Sequence, residues 1–175
     1  MRRKSKKRRL ALLLAAVAGY LLVRRRKQRP GGDSWPLTPK EIAGRVLEEP
    51  WAGNLGTIDE LIAPEFVGHN PPAREPILGP DGFREFVERY RSAYPDVRVM
   101  VDAQLAEGDR VVTRWTAQGT QRGELMGIDP TGREVTVHGI TISRISAGKV
   151  VESWSNWDAL GMLVQLGAVP EPTRA

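Results

Sequence analysis

The stretch that decides the fold is residues 149–167, KVVESWSNWDALGMLVQLG, which reads as a strand running directly into a short helix. Val150 and Trp154 favour an extended strand, and Asp158 is a good N-cap for the apolar helix that follows. Gly167 supplies the stop signal at the end of that helix. Polar and aromatic side chains gathered where a strand meets a helix often line a pocket. The junction therefore predicts either a pocket wall or a plug for the open end of the core.

Three further strands precede this stretch, separated by turn signals rich in Gly and Asp. They are predicted over residues 97–107, 110–120 and 133–145. Neither face of the third strand is fully polar. We therefore expect both sides of the sheet to be covered, one by helices and one by a partner subunit. Alternation along this strand places five residues on one face: Val135, Val137, Gly139, Thr141 and Ser143.

Helix signals dominate the region before the strands. Thr38, Pro39 and Glu41 form a capping box at the start of a first helix, which Pro50 ends. Helices followed by an antiparallel run and one closing helix indicate an α+β fold. The other predicted elements are a helix over 57–62 closed by Pro64, a strand over 66–69, a loop over 73–80, and a helix over 82–94 that Asp81 caps and that carries Tyr90.

The charge of the chain is divided unevenly between its two ends. The 175 residues have a formal net charge of +5, and residues 1–29 hold 12 Lys and Arg and no acid. The remaining 146 residues hold the other 14 basic residues and all 21 acidic ones, a net charge of −7. An acidic folded part argues against nucleic-acid binding by that part. The absence of Cys excludes disulfides and thiolate chemistry, and we expect no metal site and no cofactor.

An apolar run, LALLLAAVAGYLLV, occupies residues 10–23 between two basic clusters. Its 14 residues are fewer than the roughly 20 that cross a bilayer as a helix. Flanking Arg and Lys can nevertheless snorkel to the interface. We expect residues 1–29 to be an uncleaved membrane anchor, with the side of the membrane open and the cytoplasmic face preferred.

Other interpretations of this segment stay open. It is also typical of a helix lying on an anionic membrane surface, of a nucleic-acid-binding arm, or of a misplaced start site. The second basic cluster disfavours a cleaved signal peptide. The predicted organisation then continues with a linker over 30–37, a folded domain over 38–168 and a C-terminal tail over 169–175.

Three segments resemble the SnoaL-like polyketide cyclase (ester cyclase) family of the nuclear-transport-factor-2-like superfamily. They are LIAPEFVGHNP at 61–71, GIDPTGR at 127–133, and residues 149–167. The resemblance spans about residues 41–167. It implies a cone-shaped α+β fold, with N-terminal helices packed on a curved, mostly antiparallel sheet around an apolar pocket. It also implies a homodimer, a small apolar, polyketide-like substrate, and chemistry without metal or cofactor.

The family's catalytic pattern is altered in this chain. In the characterised cyclases an acid on the last strand exchanges a proton with substrate and a His on the preceding strand assists; the resemblance places Ser155 and Thr141 at those positions. Neither hydroxyl has a pKa near neutrality. Asp158 is the nearest carboxylate, either a general base or the helix N-cap. His69, with Asn70, is expected at a strand end bordering the pocket mouth, as a catalytic or ligand-contacting group or as a structural hydrogen-bonding residue.

Two hypotheses for function follow. The first is a small-molecule pocket protein, with cofactor-free cyclase, isomerase or hydrolase chemistry through His69 or Asp158. The second is a membrane-tethered, non-catalytic ligand-binding or dimerisation module. His138 is expected on the outer face of the sheet. The residues expected to line the pocket are Asn70, Tyr90, Trp115, Thr141, Ser155 and Trp157.

Overall fold

The computed structural model describes residues 36–70 and 75–170, and within them it contains four helices and six strands. The helices are α1 (Pro39–Glu48), α2 (Gly56–Leu61), α3 (Gly79–Ala93) and α4 (Ala159–Leu166). The strands are β1 (Ile62–His69), β2 (Ile77–Leu78), β3 (Arg98–Glu107), β4 (Arg110–Thr120), β5 (Glu134–Ser146) and β6 (Lys149–Trp157). The predicted α+β class is confirmed.

All six strands form one sheet in the order β2-β1-β6-β5-β4-β3. Strands β3 to β6 pair antiparallel in chain order, as predicted. The last strand is also paired on its other side, where β1 runs parallel to it. The sheet is therefore mixed, and β6 lies in its interior with partners along both edges.

Helix α1 begins as the sequence predicts. The Thr38 hydroxyl accepts a hydrogen bond from the Glu41 backbone N–H, and the Glu41 carboxylate accepts one from the Thr38 backbone N–H at 2.8 Å. These contacts satisfy two donors that a helix start leaves free. Ile42, Ala43 and Val46 are buried along one face. The helix packs on β3, where the Val101 N–H donates to the Glu48 carboxylate at 2.9 Å.

The junction of β6 and α4 also forms as predicted. The Asp158 carboxylate accepts from the Gly161 N–H at 2.7 Å, and Gly167 ends α4 in the left-handed region at φ 76°. Gln165 fixes this helix to β5. Its amide oxygen accepts from the Thr136 N–H and its amide nitrogen donates to the Thr136 carbonyl, each at 2.9 Å. A side chain thus completes backbone pairing that the edge of a strand would otherwise lack.

Several predicted boundaries are wrong: the strand expected over 66–69 begins at Ile62, and the loop expected over 73–80 contains β2 and the start of α3. The helix over 57–62 does not end at Pro64, because β1 already begins at Ile62 and includes that proline. Pro64 is tolerated because the pairing of β1 with β6 is irregular between Ile62 and Val67, where no ladder N–H is needed. The third helix begins at Gly79 rather than at 82. Pro80 lies in its first turn, where a missing N–H has no cost, and Asp81 is inside the helix rather than its cap.

Some predictions concern parts of the chain outside the described residues. The anchor over 1–29, most of the linker over 30–37 and most of the tail over 169–175 lie there. Within residues 36–70 and 75–170, no helix is long and apolar enough to cross a membrane.

Candidate functional site

A cavity of about 120 Å³ lies between the inner face of the sheet and the helices. A single water needs roughly 10–15 Å³ of such space, so the cavity has room for an organic molecule of many atoms. All six described strands and helices α1, α3 and α4 contribute to its lining. The residues of the lining are mostly apolar or aromatic, including Leu47, Phe66, Ile77, Val97, Val135, Val137 and Met162.

Aromatic rings form one wall of the cavity. Helix α3 presents Phe86 and Tyr90 at a spacing of four residues, and their ring centroids are 5.0 Å apart. Trp51 meets both rings edge-on at about 6 Å. Trp157 of β6 meets Tyr90 at 6.4 Å with nearly perpendicular planes. Such edge-to-face packing holds rings rigidly, so this wall has a fixed shape. Tyr90 and Trp157, which the sequence analysis expects to line the pocket, both lie in this wall.

A chain of three polar groups crosses the strands on the cavity side. The Trp115 Nε1–H donates to Thr141 Oγ1 at 3.0 Å, and Thr141 Oγ1 is 2.8 Å from Ser155 Oγ. Thr141 pairs directly with Ser155 in the ladder of β5 and β6. All three residues line the cavity, as the alternation of the strands predicts. We call Trp115, Thr141 and Ser155 the hydrogen-bond chain.

The position of Trp115 depends on a missing side chain. Gly139 of β5 pairs with Trp115 of β4, and the indole ring lies against the glycine. A Cβ atom added at Gly139 would be 2.2 Å from the indole Cζ2, far inside contact distance. Glycine is therefore needed here because of close approach and not because of backbone conformation. It leaves the space in which Trp115 reaches Thr141.

A second hydrogen bond joins the far end of β6 to the residue after β1. The Trp157 Nε1–H donates to Asn70 Oδ1 at 3.0 Å, and both residues line the cavity. Since indole nitrogen is only a donor, this contact fixes the orientation of the Asn70 amide. Asn70 was predicted to line the pocket and does so.

Among the described residues of the lining, none has a side chain that titrates near neutral pH. Their titratable groups are two tyrosines, and burial raises the pKa of Tyr90 to about 12. Burial also raises the pKa of Tyr94, whose side chain is 4% exposed and whose hydroxyl has no hydrogen-bond partner in the described part of the chain. The polar atoms that face the cavity are therefore neutral hydroxyls, amides and indole N–H groups.

The predicted place of His69 at the pocket mouth is wrong. His69 pairs with Trp154 across β1 and β6, and the two rings stack at 5.6 Å on the face opposite the cavity. Its Nε2 is 3.2 Å from the Glu152 carboxylate, and its side chain is 43% exposed. Hydrogen bonding from His69, followed by that from Arg144, lowers the pKa of Glu152. Because the side chain leaves the strand on the outer side, His69 does not line the cavity.

The other titratable candidates also lie outside the cavity. Asp158 is exposed and engaged as the N-cap of α4, so the structure favours the capping interpretation over a general base. His138 is on the outer face of the sheet, as predicted, with its Nδ1 3.0 Å from the Thr116 hydroxyl. Across residues 36–70 and 75–170, no group of three His, Asp or Glu is close enough to hold a metal ion.

Several lining residues were not predicted from the sequence. Ser153 follows from alternation, since it lies two residues before Ser155 on the same strand. Tyr94 and Trp51 lie in turns beyond the ends of α3 and α1, where neither helical nor strand periodicity assigns a direction. No local pattern signals those two positions.

Comparison with known families and structures gives consistent results. The family model for SnoaL-like polyketide cyclases matches residues 42–166. Among solved structures, IdmH from Streptomyces antibioticus, described as a candidate polyketide cyclase, is 35% identical. It covers 75% of this chain and 99% of its own, with a TM-score of 0.66.

Two further solved structures are similar. TsrD from Streptomyces laurentii is 31% identical over 75% of this chain and 93% of its own, with a TM-score of 0.64. A candidate SnoaL-like polyketide cyclase from Jannaschia sp. is 26% identical over 80% of this chain and all of its own, with a TM-score of 0.69. No curated protein sequence matches this chain.

Proposed function

This chain belongs to the SnoaL-like polyketide cyclase family, and we propose that its cavity binds a small, largely apolar, polyketide-like molecule. The observation that carries this proposal is the chemistry of the lining. Aromatic and aliphatic side chains surround the cavity, and its polar groups are neutral. A ligand that buries apolar surface there gains roughly 25 cal/mol for each Å² removed from water. A charged ligand would lose its hydration without meeting an opposite charge.

Binding is supported better than acid–base catalysis. Ser155 and Thr141 replace the acid and the His of the family's catalytic pattern, and they hydrogen-bond to each other in the cavity. A hydroxyl with a pKa far above neutrality cannot exchange protons as a carboxylate does. Neither His69 nor Asp158 faces the cavity to take over that role.

A second candidate function is cofactor-free cyclisation by confinement. Ser155 of the hydrogen-bond chain is at the position where the resemblance places the family's acid, and a hydrogen-bond donor there would stabilise an oxyanion developing on the substrate. A rigid aromatic wall would hold a flexible substrate in a folded, reactive conformation. Formation of a cyclised product favours this candidate, whereas reversible binding without conversion favours the first.

The binding proposal is tested with tetralin, a neutral bicyclic hydrocarbon, by calorimetric titration. We expect saturable binding that Ala117→Phe weakens at least roughly tenfold, because residue 117 lines the cavity and a phenyl ring would fill it. The matched control is Ala106→Phe on exposed β3, which should bind tetralin as the unmodified protein does. Equal tetralin binding by both variants would show that tetralin binds outside the cavity and would contradict the proposal.

We also propose that the N-terminal segment attaches the protein to a membrane. The apolar run at 10–23 and the 12 basic residues around it support this interpretation. The full chain should sediment with vesicles containing anionic lipid, and a chain lacking residues 1–29 should stay in solution. Extraction at alkaline pH then separates an inserted anchor, which stays with the vesicles, from a helix held at the surface by charge.

A second copy of the chain is the proposed partner of the outer sheet face. Met100, Val112 and Ile140 are apolar and between 37% and 49% exposed there, which suits an interface between copies. Light scattering should report a dimer for the unmodified protein and a monomer for Ile140→Lys. A monomer in both cases would contradict this arrangement.

A further inference from the structure

The donors and acceptors of the hydrogen-bond chain determine its direction. Indole nitrogen can only donate, so Trp115 must give its hydrogen to Thr141 Oγ1. The contact of Thr141 with Ser155 can run either way from distance alone, because either hydroxyl can be the donor. In each direction a different hydroxyl hydrogen is left without an acceptor inside the chain. The surroundings of that hydrogen decide between the two directions.

If Ser155 donated to Thr141, the hydroxyl hydrogen of Thr141 would need another acceptor. Thr141 is 4% exposed, and within the described residues its hydroxyl contacts only Trp115 and Ser155. That direction therefore leaves a buried donor without a partner, which costs free energy. If Thr141 donates to Ser155, every buried hydrogen of the chain is bonded. The hydrogen left over is then that of Ser155. Both hydroxyls line the cavity, but Thr141 is buried whereas Ser155 is only partly buried, so Ser155 is better placed to reach a ligand.

We infer that the chain runs from Trp115 through Thr141 to Ser155 and presents the Ser155 hydroxyl hydrogen to a neutral carbonyl oxygen of the ligand. The inference rests on the proposed function and makes it more specific. Ser155 is thus a specificity-determining residue, a fixed donor at one point of an apolar cavity, and Trp115 and Thr141 are positioning residues.

The chemistry of the lining selects a carbonyl over other acceptors. A carboxylate would enter a cavity whose lining, within residues 36–70 and 75–170, has no Lys, Arg or His to balance its charge. A ligand hydroxyl would bring a hydrogen of its own that needs a further acceptor. A ketone or ester oxygen accepts the hydrogen bond and has no hydrogen of its own that needs an acceptor.

The test compares 1-tetralone with tetralin, two bicyclic molecules of nearly the same shape that differ in one carbonyl oxygen. We expect the unmodified protein to bind 1-tetralone about three- to tenfold more tightly, the gain of one neutral hydrogen bond. Ser155→Ala should bring the ratio of the two affinities to about one. Ser146→Ala is the matched control, at an exposed position at the end of β5 outside the cavity lining, and should preserve the preference.

The direction of the chain is tested at Thr141. Thr141→Val removes the hydroxyl that holds Ser155, so the Ser155 hydrogen is no longer oriented toward the ligand and we expect the preference for 1-tetralone to fall. If Ser155 instead donates to Thr141 in the unmodified protein, the same substitution frees the Ser155 hydrogen and the preference rises. The carbonyl stretch of bound 1-tetralone gives an independent readout: infrared difference spectra should show a shift to lower frequency with the unmodified protein and none with Ser155→Ala.

The outcomes separate this inference from the proposed function. Equal affinity for the two probes, or a preference that survives Ser155→Ala, overturns the inference and leaves apolar binding intact. A preference that stays the same or rises in Thr141→Val overturns the stated direction. Failure of both probes to bind removes the proposed function, and the inference fails with it.

Discussion

Thr141 and Ser155 lie directly opposite each other on neighbouring antiparallel strands, with hydroxyl oxygens 2.8 Å apart. We predict that Thr141→Val lowers the free energy of unfolding by about 1–3 kcal/mol, because the buried Trp115 N–H loses its acceptor. Denaturation by urea measures this change. Thr136→Val is the control, the same substitution on the outer side of the same strand, and should cost less than about 0.5 kcal/mol. Equal effects would show that the chain contributes nothing particular to stability.

Returning a carboxylate to the family's position should make stability depend on pH. We predict that Ser155→Asp places the carboxyl in an apolar cavity, where desolvation raises its pKa in the folded state. A raised folded pKa means that the cost is fully present above that pKa, shrinks as the pH falls through it, and is gone only below the unfolded pKa of about 3.9. The loss near neutrality is about 1.4 kcal/mol for each unit by which the pKa rises.

Urea denaturation of this variant at several pH values tests the prediction. Ser155→Asn is the matched control, nearly the same shape without a titrating group, and its stability relative to the unmodified protein should not vary with pH. If the loss in free energy of unfolding caused by Ser155→Asp is the same at low and neutral pH, the position is well solvated.

Gly139 and Gly44 should respond in opposite directions to the same substitution. Gly139→Ala places a methyl group 2.2 Å from the Trp115 ring and forces the indole to move. We expect a loss of about 1–3 kcal/mol from overpacking and a change in the quenching of tryptophan fluorescence. Gly44 lies in α1 with only ordinary contact around it, so Gly44→Ala should stabilise by about 0.5–1 kcal/mol. A stabilising Gly139→Ala would contradict the packing described above.

The Tyr94 hydroxyl is buried without a partner in the described part of the chain. We predict that Tyr94→Phe leaves stability unchanged or raises it by up to about 1 kcal/mol, because removing an unpaired polar group relieves its desolvation cost. Thermal denaturation provides the measurement. Tyr90→Phe is the comparison, because the Tyr90 hydroxyl is not among the buried groups that lack a partner. It should show no such gain in stability. A clear loss in Tyr94→Phe would reveal a hydrogen bond to an ordered water.

A network around Arg45 should govern part of the response to acid. Arg45 donates to Glu49 at 2.7 Å and to Glu60 at 2.8 Å, and its hydrogen bond lowers the pKa of Glu49 below the ordinary 4.5. A lowered carboxyl pKa gives stability that is present above pH 4.5 and is lost as the pH falls through the folded value. Glu49→Gln should therefore cost about 1 kcal/mol at neutral pH and little below pH 3.

Unfolding by urea at pH 7 and at pH 3 checks this expectation. Glu88→Gln, an exposed substitution on α3, serves as control and should change neither value. A Glu49→Gln deficit that persists unchanged at pH 3 would assign the effect to packing.

The sequence predicts best those features that depend on neighbouring residues. The capping box at Thr38, the N-cap at Asp158 and the stop at Gly167 are local and were predicted correctly. The facing of Thr141 and Ser155 also follows, because alternation on a regular strand fixes which side each residue takes.

Features set by distant pairing were less accessible to prediction. His69 lies three residues after Phe66, which lines the cavity, so alternation along β1 places it on the opposite face; the sequence does not show which face of this strand is inside. Strand β2 consists of Ile77 and Leu78 alone, too few residues to show a period. The position of Asp158 outside the cavity depends on where two strands and a helix meet in space. The neutral lining of the cavity depends on the same arrangement.

The parallel pairing of β1 with β6 has a consequence for the making of the protein. Ile62 pairs with Val150. The backbone of β1, one of the first strands of the domain, therefore cannot form these hydrogen bonds until the last strand has been synthesised. Contacts between distant parts of a chain close slowly. During synthesis the edges of β1 and β5 therefore stay open until β6 has left the ribosome, and a chain cut short before Lys149 would expose both as templates for aggregation.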